Sequence, residues 1–286
     1  MKVALFAREG DERVGVVVDD EVVDVTAWVG EPGPCALASF IQRSRESAPP
    51  LDGPRFDLAE VRLLPPARGA AAIMCVGVNY ADHAALVAER TGTAVTTADS
   101  IPALFPKVWS SLTGHNQPIV RPRASSWLDF EGELAVIIGE RCRHVSRSDA
   151  LGVVAGYAIG QDGSVRDWQR KAPTPTAGKN FYRSGALGPW MVTADEIPDP
   201  AALQLTTTLN GEIVQKSSVS ALIHSVPALI EHITTFMPLA PGDVIFTGTP
   251  AGSMADRGND RWLTPGDEVS VSISSIGTLT NVVVDE

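Results

Sequence analysis

Asp129-Phe130-Glu131-Gly132-Glu133-Leu134-Ala135-Val136-Ile137-Ile138-Gly139 sets two carboxylates, one residue apart, directly against an uninterrupted apolar run. A short apolar run bounded by glycine reads as a strand covered on both faces. On an extended chain residues two apart point to one side, so Glu131 and Glu133 can face the same cation. Gly132 between them leaves the opposite face free for close packing. The same letters suit a solvated acidic edge strand, so the pair needs a third ligand before it means a metal. Val153 to Ile159 reads as another buried strand, and Gly160-Gln161-Asp162-Gly163-Ser164 follows at its end. Asp162 there would complete an all-oxygen site of the kind that suits Mg²⁺ or Mn²⁺ and not zinc. Asp-Gly-Ser is also ordinary turn chemistry.

Outward from this centre, most of the chain reads as strand. Residues 3–6, 13–18 and 22–25 form a small β-rich N-terminal part, and the Pro-rich text from Glu46 to Arg68 reads as a linker. The expected domains are therefore 1–68 and 69–286. Ala71 to Val78 has strand character, Tyr80 to Arg90 helical spacing, and Leu203 to Val214 alternates around Asn210-Gly211, a strong hairpin signal. Ser218 to Phe236 reads as helical, with Pro227 marking a break or a fresh start. Val244 to Thr247 and Glu268 to Val284 close with β-branched strands. This predicts a mixed, β-rich α+β fold without the strict alternation of a doubly wound sheet.

With 286 residues and 44% hydrophobic content, the chain can bury a core without disulfides. Cys35, Cys75 and Cys142 are an odd number at wide spacing, as expected of a reducing cytoplasm. Met1 to Gly10 lacks a signal peptide's apolar stretch, and no run reaches the ~20 residues of a membrane span. A formal charge of −11 argues against nucleic acid as a partner and requires a local positive site for an anionic substrate. His115, His144, His224 and His232 match no metal spacing. Serine-esterase, P-loop and dinucleotide-binding signatures are absent from the sequence.

Eight motifs then occur in order: Gly77-Val78-Asn79-Tyr80-Ala81-Asp82-His83-Ala84, Leu104 to Lys107, Asp129 to Val136, Gly156 to Gln169, Gly178-Lys179, Leu187 to Trp190, Asn210-Gly211-Glu212 and Thr247-Gly248-Thr249-Pro250. Together they resemble the fumarylacetoacetate hydrolase family over roughly residues 70 to 286, in its acylpyruvate hydrolase and 2-hydroxyhepta-2,4-diene-1,7-dioate isomerase-like branch. The resemblance implies a β-roll catalytic domain behind a small β-rich N-terminal domain, a homodimer, and Mg²⁺ or Mn²⁺ held by Glu131, Glu133 and Asp162. It implies that Arg166, Gln169 and Thr249 bind a small anionic 2-oxo or diketo acid, and that His83 and Lys179 are catalytic. The expected reaction is C–C hydrolysis of an acylpyruvate through a metal-bound enolate. Oxaloacetate decarboxylation and enol–keto tautomerisation are the alternative, since a divalent ion stabilises the enolate of each. A binding protein that has kept the fold without turnover is the third.

Two places depart from the family pattern. Many hydrolytic and decarboxylating members of the family pair the histidine matching His83 with a Glu three residues later, where this chain has Leu86; Glu89 is the nearest acid. That loss predicts weaker water activation and a tilt toward enolate chemistry without hydrolysis, or toward a substrate that orders its own water. Asn180 to Ser184 also differs and reads as a surface loop, with Tyr182 or Arg183 facing the pocket as the alternative.

Overall fold

The computed structural model of the chain describes every residue except Glu31, Pro32, Pro34, Ala67, Asn259 and Asp260. The Gly132–Ile138 strand lies inside a large mixed sheet, between Val154–Gln161 and Val244–Phe246. Its run is apolar because both faces are covered. Ala135 and Ile137 pack toward Leu37, Phe40 and Ile41 of the Ala36–Ser44 helix. Leu134, Val136 and Ile138 face a second layer: Leu205 and Val271 of another sheet, and Leu229, Ile230 and Ile233 of the Val226–Phe236 helix.

From Gly132–Ile138 the large sheet continues on one side through Val154–Gln161, Gly185–Thr193, Lys2–Arg8, Asp11–Val18, Glu21–Asp24 and Arg55–Asp57. On the other side come Val244–Phe246, Ile73–Gly77 and Ala103–Pro106. The N-terminal strands thus join the sheet that carries the acidic pair, through Lys2 opposite Val192 and Val3 opposite Met191. The second sheet runs Glu212–Ser218, Gln204–Leu209, Glu268–Ile273, Gly277–Asp285, Ile119–Arg121. The result is a sheet-rich α+β fold in which neither sheet closes into a barrel.

Local chemistry explains the boundaries. Asn210 (φ 52°) and Gly211 (φ 83°) form the two-residue turn between Leu209 and Glu212, in the left-handed conformations that match strand twist. The expected helix over 218–236 is shorter: Ser217 and Ser218 pair with Leu205 and Gln204, so the strand runs on to residue 218. The helix starts afresh at Val226 with Pro227 in its first turn, where a missing N–H costs nothing. The 46–68 segment is largely irregular, with the short strands Arg55–Asp57 and Arg62–Leu64. No helix among the described residues is long and apolar enough to cross a membrane.

Gly132 sits where the two sheets meet. A Cβ there would collide with Thr207 Oγ1 and lie 3.0 Å from Val271 Cγ1, and both belong to strands with little room to move. Gly132→Ala is expected to cost about 1–3 kcal/mol through overpacking, read by urea denaturation. An unchanged midpoint would mean that the sheets part more easily than their packing indicates.

Candidate active site

Glu131 and Glu133 leave the start of the Gly132–Ile138 strand on the side shared with Ala135, as the two-residue period requires. Gly132 pairs with Gln161, so Asp162, one residue beyond its strand, lies across from Glu131 and donates its N–H to the Glu131 carbonyl at 2.9 Å. One oxygen from each of the three carboxylates falls within 4.8 Å of the others, and all three residues are buried. Close backbone approach makes this possible. A Cβ on Gly160 would enter the Phe246 ring, and one on Gly163 would strike the Ser184 carbonyl.

Three cations answer the acids. Lys179 Nζ contacts Glu131 Oε2 and lies 2.8 Å from Asp162 Oδ2. Lys107 Nζ, with a fully buried side chain, donates to Asp162 Oδ1 at 2.6 Å and to the Lys179 carbonyl at 2.5 Å. Arg166 pairs with Asp129 Oδ2 through Nε at 2.7 Å and with Glu131 Oε1 through Nη2 at 2.8 Å, while Nη1 donates to Gln169 Oε1 at 2.9 Å. Burial opposes ionisation of Glu131, but Lys179 and Arg166 prevail and bring its pKa down to about 2. The Lys179 ammonium is likewise held charged: burial works against it, and Asp162 and Glu131 outweigh burial.

Glu133 is left over. It accepts from the Gly248 N–H at 2.6 Å, and burial together with the Asp162 and Glu131 charges pushes its pKa well above the carboxylate range. Three hard oxygen donors, of which Glu133 has no cationic partner among the described residues, fit Mg²⁺ or Mn²⁺, and the donor set gives no reason to choose between them.

A cavity of about 650 Å³ opens over these groups. Glu131, Glu133, Arg166, Gln169, Lys179, Thr249 and His83 all line it. Val76, Val78, Val87, Leu104 and Phe105 form much of the remaining wall. Thr249 Oγ1 donates to the Gly132 carbonyl (2.9 Å) and accepts from Gln215 Nε2 (2.8 Å), so its hydroxyl is fixed in place.

His83 stands in the first turn of the Ala81–Thr91 helix with Nδ1 3.2 Å from Asp256 Oδ2. The acid missing at Leu86 is thus supplied by a distant segment, which removes the ground for expecting weakened water activation. Glu89 does not take that part. Six residues on is about 240° around a helix, and Glu89 is exposed there. Asp256 also accepts from the Gly252 and Ser253 N–H groups. Burial raises its pKa, but the neighbouring His83 imidazole and these donors bring it below the ordinary value. Tyr182 and Arg183 stay off the cavity wall: Tyr182 is 61% exposed, and Arg183 donates to Thr113 Oγ1 at 2.9 Å.

Sequence reasoning missed Lys107, Asp129, Gln215 and Asp256 as parts of the site. Lys107 and Asp129 lie inside quoted motifs, which was the available signal. Gln215 and Asp256 carry none, since each acts through partners far along the chain.

The family model described as fumarylacetoacetate hydrolase C-terminal matches residues 72–284. The chain belongs to the fumarylacetoacetate hydrolase family. Over 282 residues it is 34% identical to 2,4-didehydro-3-deoxy-L-rhamnonate hydrolase of Sphingomonas sp. strain SKA58, covering 97% of this chain and 94% of that protein. It is 36% identical over 232 residues to the mitochondrial oxaloacetate tautomerase Fahd2a of Rattus norvegicus, covering 81% and 72%. Maleylpyruvate hydrolase from Sphingobium sp. SYK-6, solved with manganese(II) and pyruvate, superposes with a TM-score of 0.81 at 31% identity, covering 100% and 99%. Fumarylacetoacetate hydrolase family relatives thus include both hydrolases and tautomerases.

The electrostatics of this family site make a pH-dependent prediction. A carboxyl whose folded pKa is raised stabilises below its unfolded value, and that stability is lost as pH rises through the folded one. Glu133 acts in this sense, whereas Glu131, lowered to about 2, contributes stability that is fully present above the ordinary carboxylate value and is lost only as pH falls toward about 2. Chelator-treated protein should therefore melt at lower temperature as pH rises from about 5 to about 8. Added Mn²⁺, which needs ionised ligands, should raise the melting temperature more at the upper end. A metal-induced shift independent of pH over this range would count against the three carboxylates as its site.

Proposed function

We propose that the protein hydrolyses a C–C bond in an acylpyruvate-type 1,3-diketo acid, with Mg²⁺ or Mn²⁺ held by Glu131, Glu133 and Asp162. The observation that carries this reading is the His83–Asp256 pair, set into the wall of the cavity that Glu131, Glu133 and Lys179 also line. An ion bound there would supply a Lewis acid for the substrate's oxygens. The pyruvate and manganese of the maleylpyruvate hydrolase structure support the same substrate class.

The residues divide the work by what each is free to do. Asp129 holds Arg166, and Arg166 occupies the Gln169 carbonyl oxygen, so the Gln169 amide NH₂ is left to donate to the substrate carboxylate. Lys179 places a positive charge beside the oxygen that gains charge when the C–C bond breaks. The Asp256 carboxylate, 3.2 Å from Nδ1, favours the His83 proton on that nitrogen, which leaves Nε2 to accept a proton from water. Water adds to the acyl carbonyl, the C–C bond opens with its electron pair going to the pyruvate enolate, and protonation of the enolate carbon yields pyruvate and a carboxylic acid. The apolar wall from Val76 to Phe105 suits the acyl arm.

The test is turnover of acetylpyruvate and oxaloacetate with Mn²⁺ or Mg²⁺, with products identified. Hydrolysis should release pyruvate, and Asp256→Asn should lower its kcat about 10²–10⁴-fold, the range for loss of general base catalysis. Activity limited to oxaloacetate enolisation or decarboxylation, indifferent to Asp256→Asn, would move the protein to the alternative chemistry.

A further inference from the structure

The Ala81–Thr91 helix forms one wall of the cavity, yet only His83, Ala84 and Ala88 of it are buried, with Leu86 and Val87 half-buried. Two alanines remove little apolar area from water, so core packing holds this helix weakly. Polar contacts make up the difference at two points. His83 meets Asp256, and Arg90, seven residues later, donates through Nη1 to the Ala255 carbonyl and through Nη2 to the Asp256 carbonyl. Residues seven apart share a helix face, so both contacts fall on the side turned toward residues 253–257.

The carbonyls that Arg90 takes belong to the short helix Met254–Arg257, which ends at Gly258 in the left-handed conformation (φ 67°). The last carbonyls of a helix lack partners within it, and a cation is favoured at that end. At the opposite end, Asp129 accepts from the Met254 and Ala255 N–H groups while also pairing with Arg166. The turn that carries Asp256 is thus gripped by the metal-site framework at one end and by the cavity helix at the other.

We infer that Arg90 is a positioning residue, a latch that seats the Ala81–Thr91 helix on the carbonyls of Ala255 and Asp256 and so holds His83 against the Asp256 carboxylate. This assignment rests on the hydrolytic reading of His83 and Asp256. The latch is exposed to water, where a guanidinium–carbonyl contact is modest in strength and reversible. Release swings out a helix whose His83 and Val87 line the cavity, so the same contact that aligns the base also governs entry.

The experiment compares Arg90→Ala, Arg90→Lys and Asp256→Asn, singly and with Arg90→Ala combined with Asp256→Asn, in the Mn²⁺-loaded protein. Acetylpyruvate hydrolysis, amide hydrogen exchange and the melting temperature are read. Arg90→Ala should lower kcat about 10- to 100-fold, as for a misplaced catalytic group, with a smaller change in KM and an unchanged melting temperature. Exchange should quicken within residues 81–91, Arg90→Lys should recover part of both effects, and Arg90→Ala should cost little more once Asp256 is Asn. Wild-type kcat in Arg90→Ala, or an undiminished further loss in the Asp256→Asn background, would overturn the role. Failure of the wild-type protein to hydrolyse any acylpyruvate would sink the hydrolytic reading instead, and hydrogen exchange alone would then decide whether the latch exists.

Discussion

Three carboxylates within 4.8 Å of one another, and out of water, set the terms for the rest of the structure. Like charges at that spacing repel strongly in a medium of low polarity, and desolvation adds to the cost. Lys179 and Lys107 on Asp162, and Lys179 and Arg166 on Glu131, offset it. Among the described residues Glu133 remains without such a partner, which is the electrostatic reason to expect a divalent ion. Fixing these charges demands rigid supports. Lys107 is tied to the Lys179 carbonyl, and Arg166 to Asp129.

Rigidity comes from the way the sheets are built around glycine. Gly132 lets the second sheet approach behind the acidic pair, Gly160 admits the Phe246 ring beside Glu133, and Gly163 lets the chain turn against Ser184 just after Asp162. The acids therefore sit on strands whose other neighbours leave no slack, and Gln215, bonded to Gly132, Thr249 and Pro250, stitches the second sheet to the pocket rim. A site that must hold oxygen atoms in fixed positions gains more from such a frame than from loops.

The side of the cavity that carries His83 and Asp256 is built differently. His83 rides on a helix with small buried side chains, and Asp256 on a four-residue helix held at its ends by Asp129 and Arg90. A rigid ligand frame faces a lightly anchored helix across one cavity, which suits an enzyme that must admit a substrate and then exclude water. Because relatives of the family include a hydrolase and a tautomerase, differences in chemistry are expected on this side more than among the carboxylates.

Much of the site was legible in the letters because its logic is local. The two-residue period puts Glu131 and Glu133 on one face, the apolar run behind them marks a strand buried on both sides, and Asn210-Gly211 dictates a tight hairpin. Ordered motifs added Asp162 and Lys179 to the pair. The Gly185–Thr193 strand is not legible in the sequence because Gly188 and Pro189 interrupt its pattern, and apolar spacing overextends the helix before Phe236 because it does not report where a strand's partner ends. Asp256 and Gln215 join the cavity's residues only through the tertiary structure. A carboxylate partner for a histidine need only be near in space, and helical spacing identifies neighbours within one helix; nothing in the residues around His83 encodes which distant turn will be packed against it.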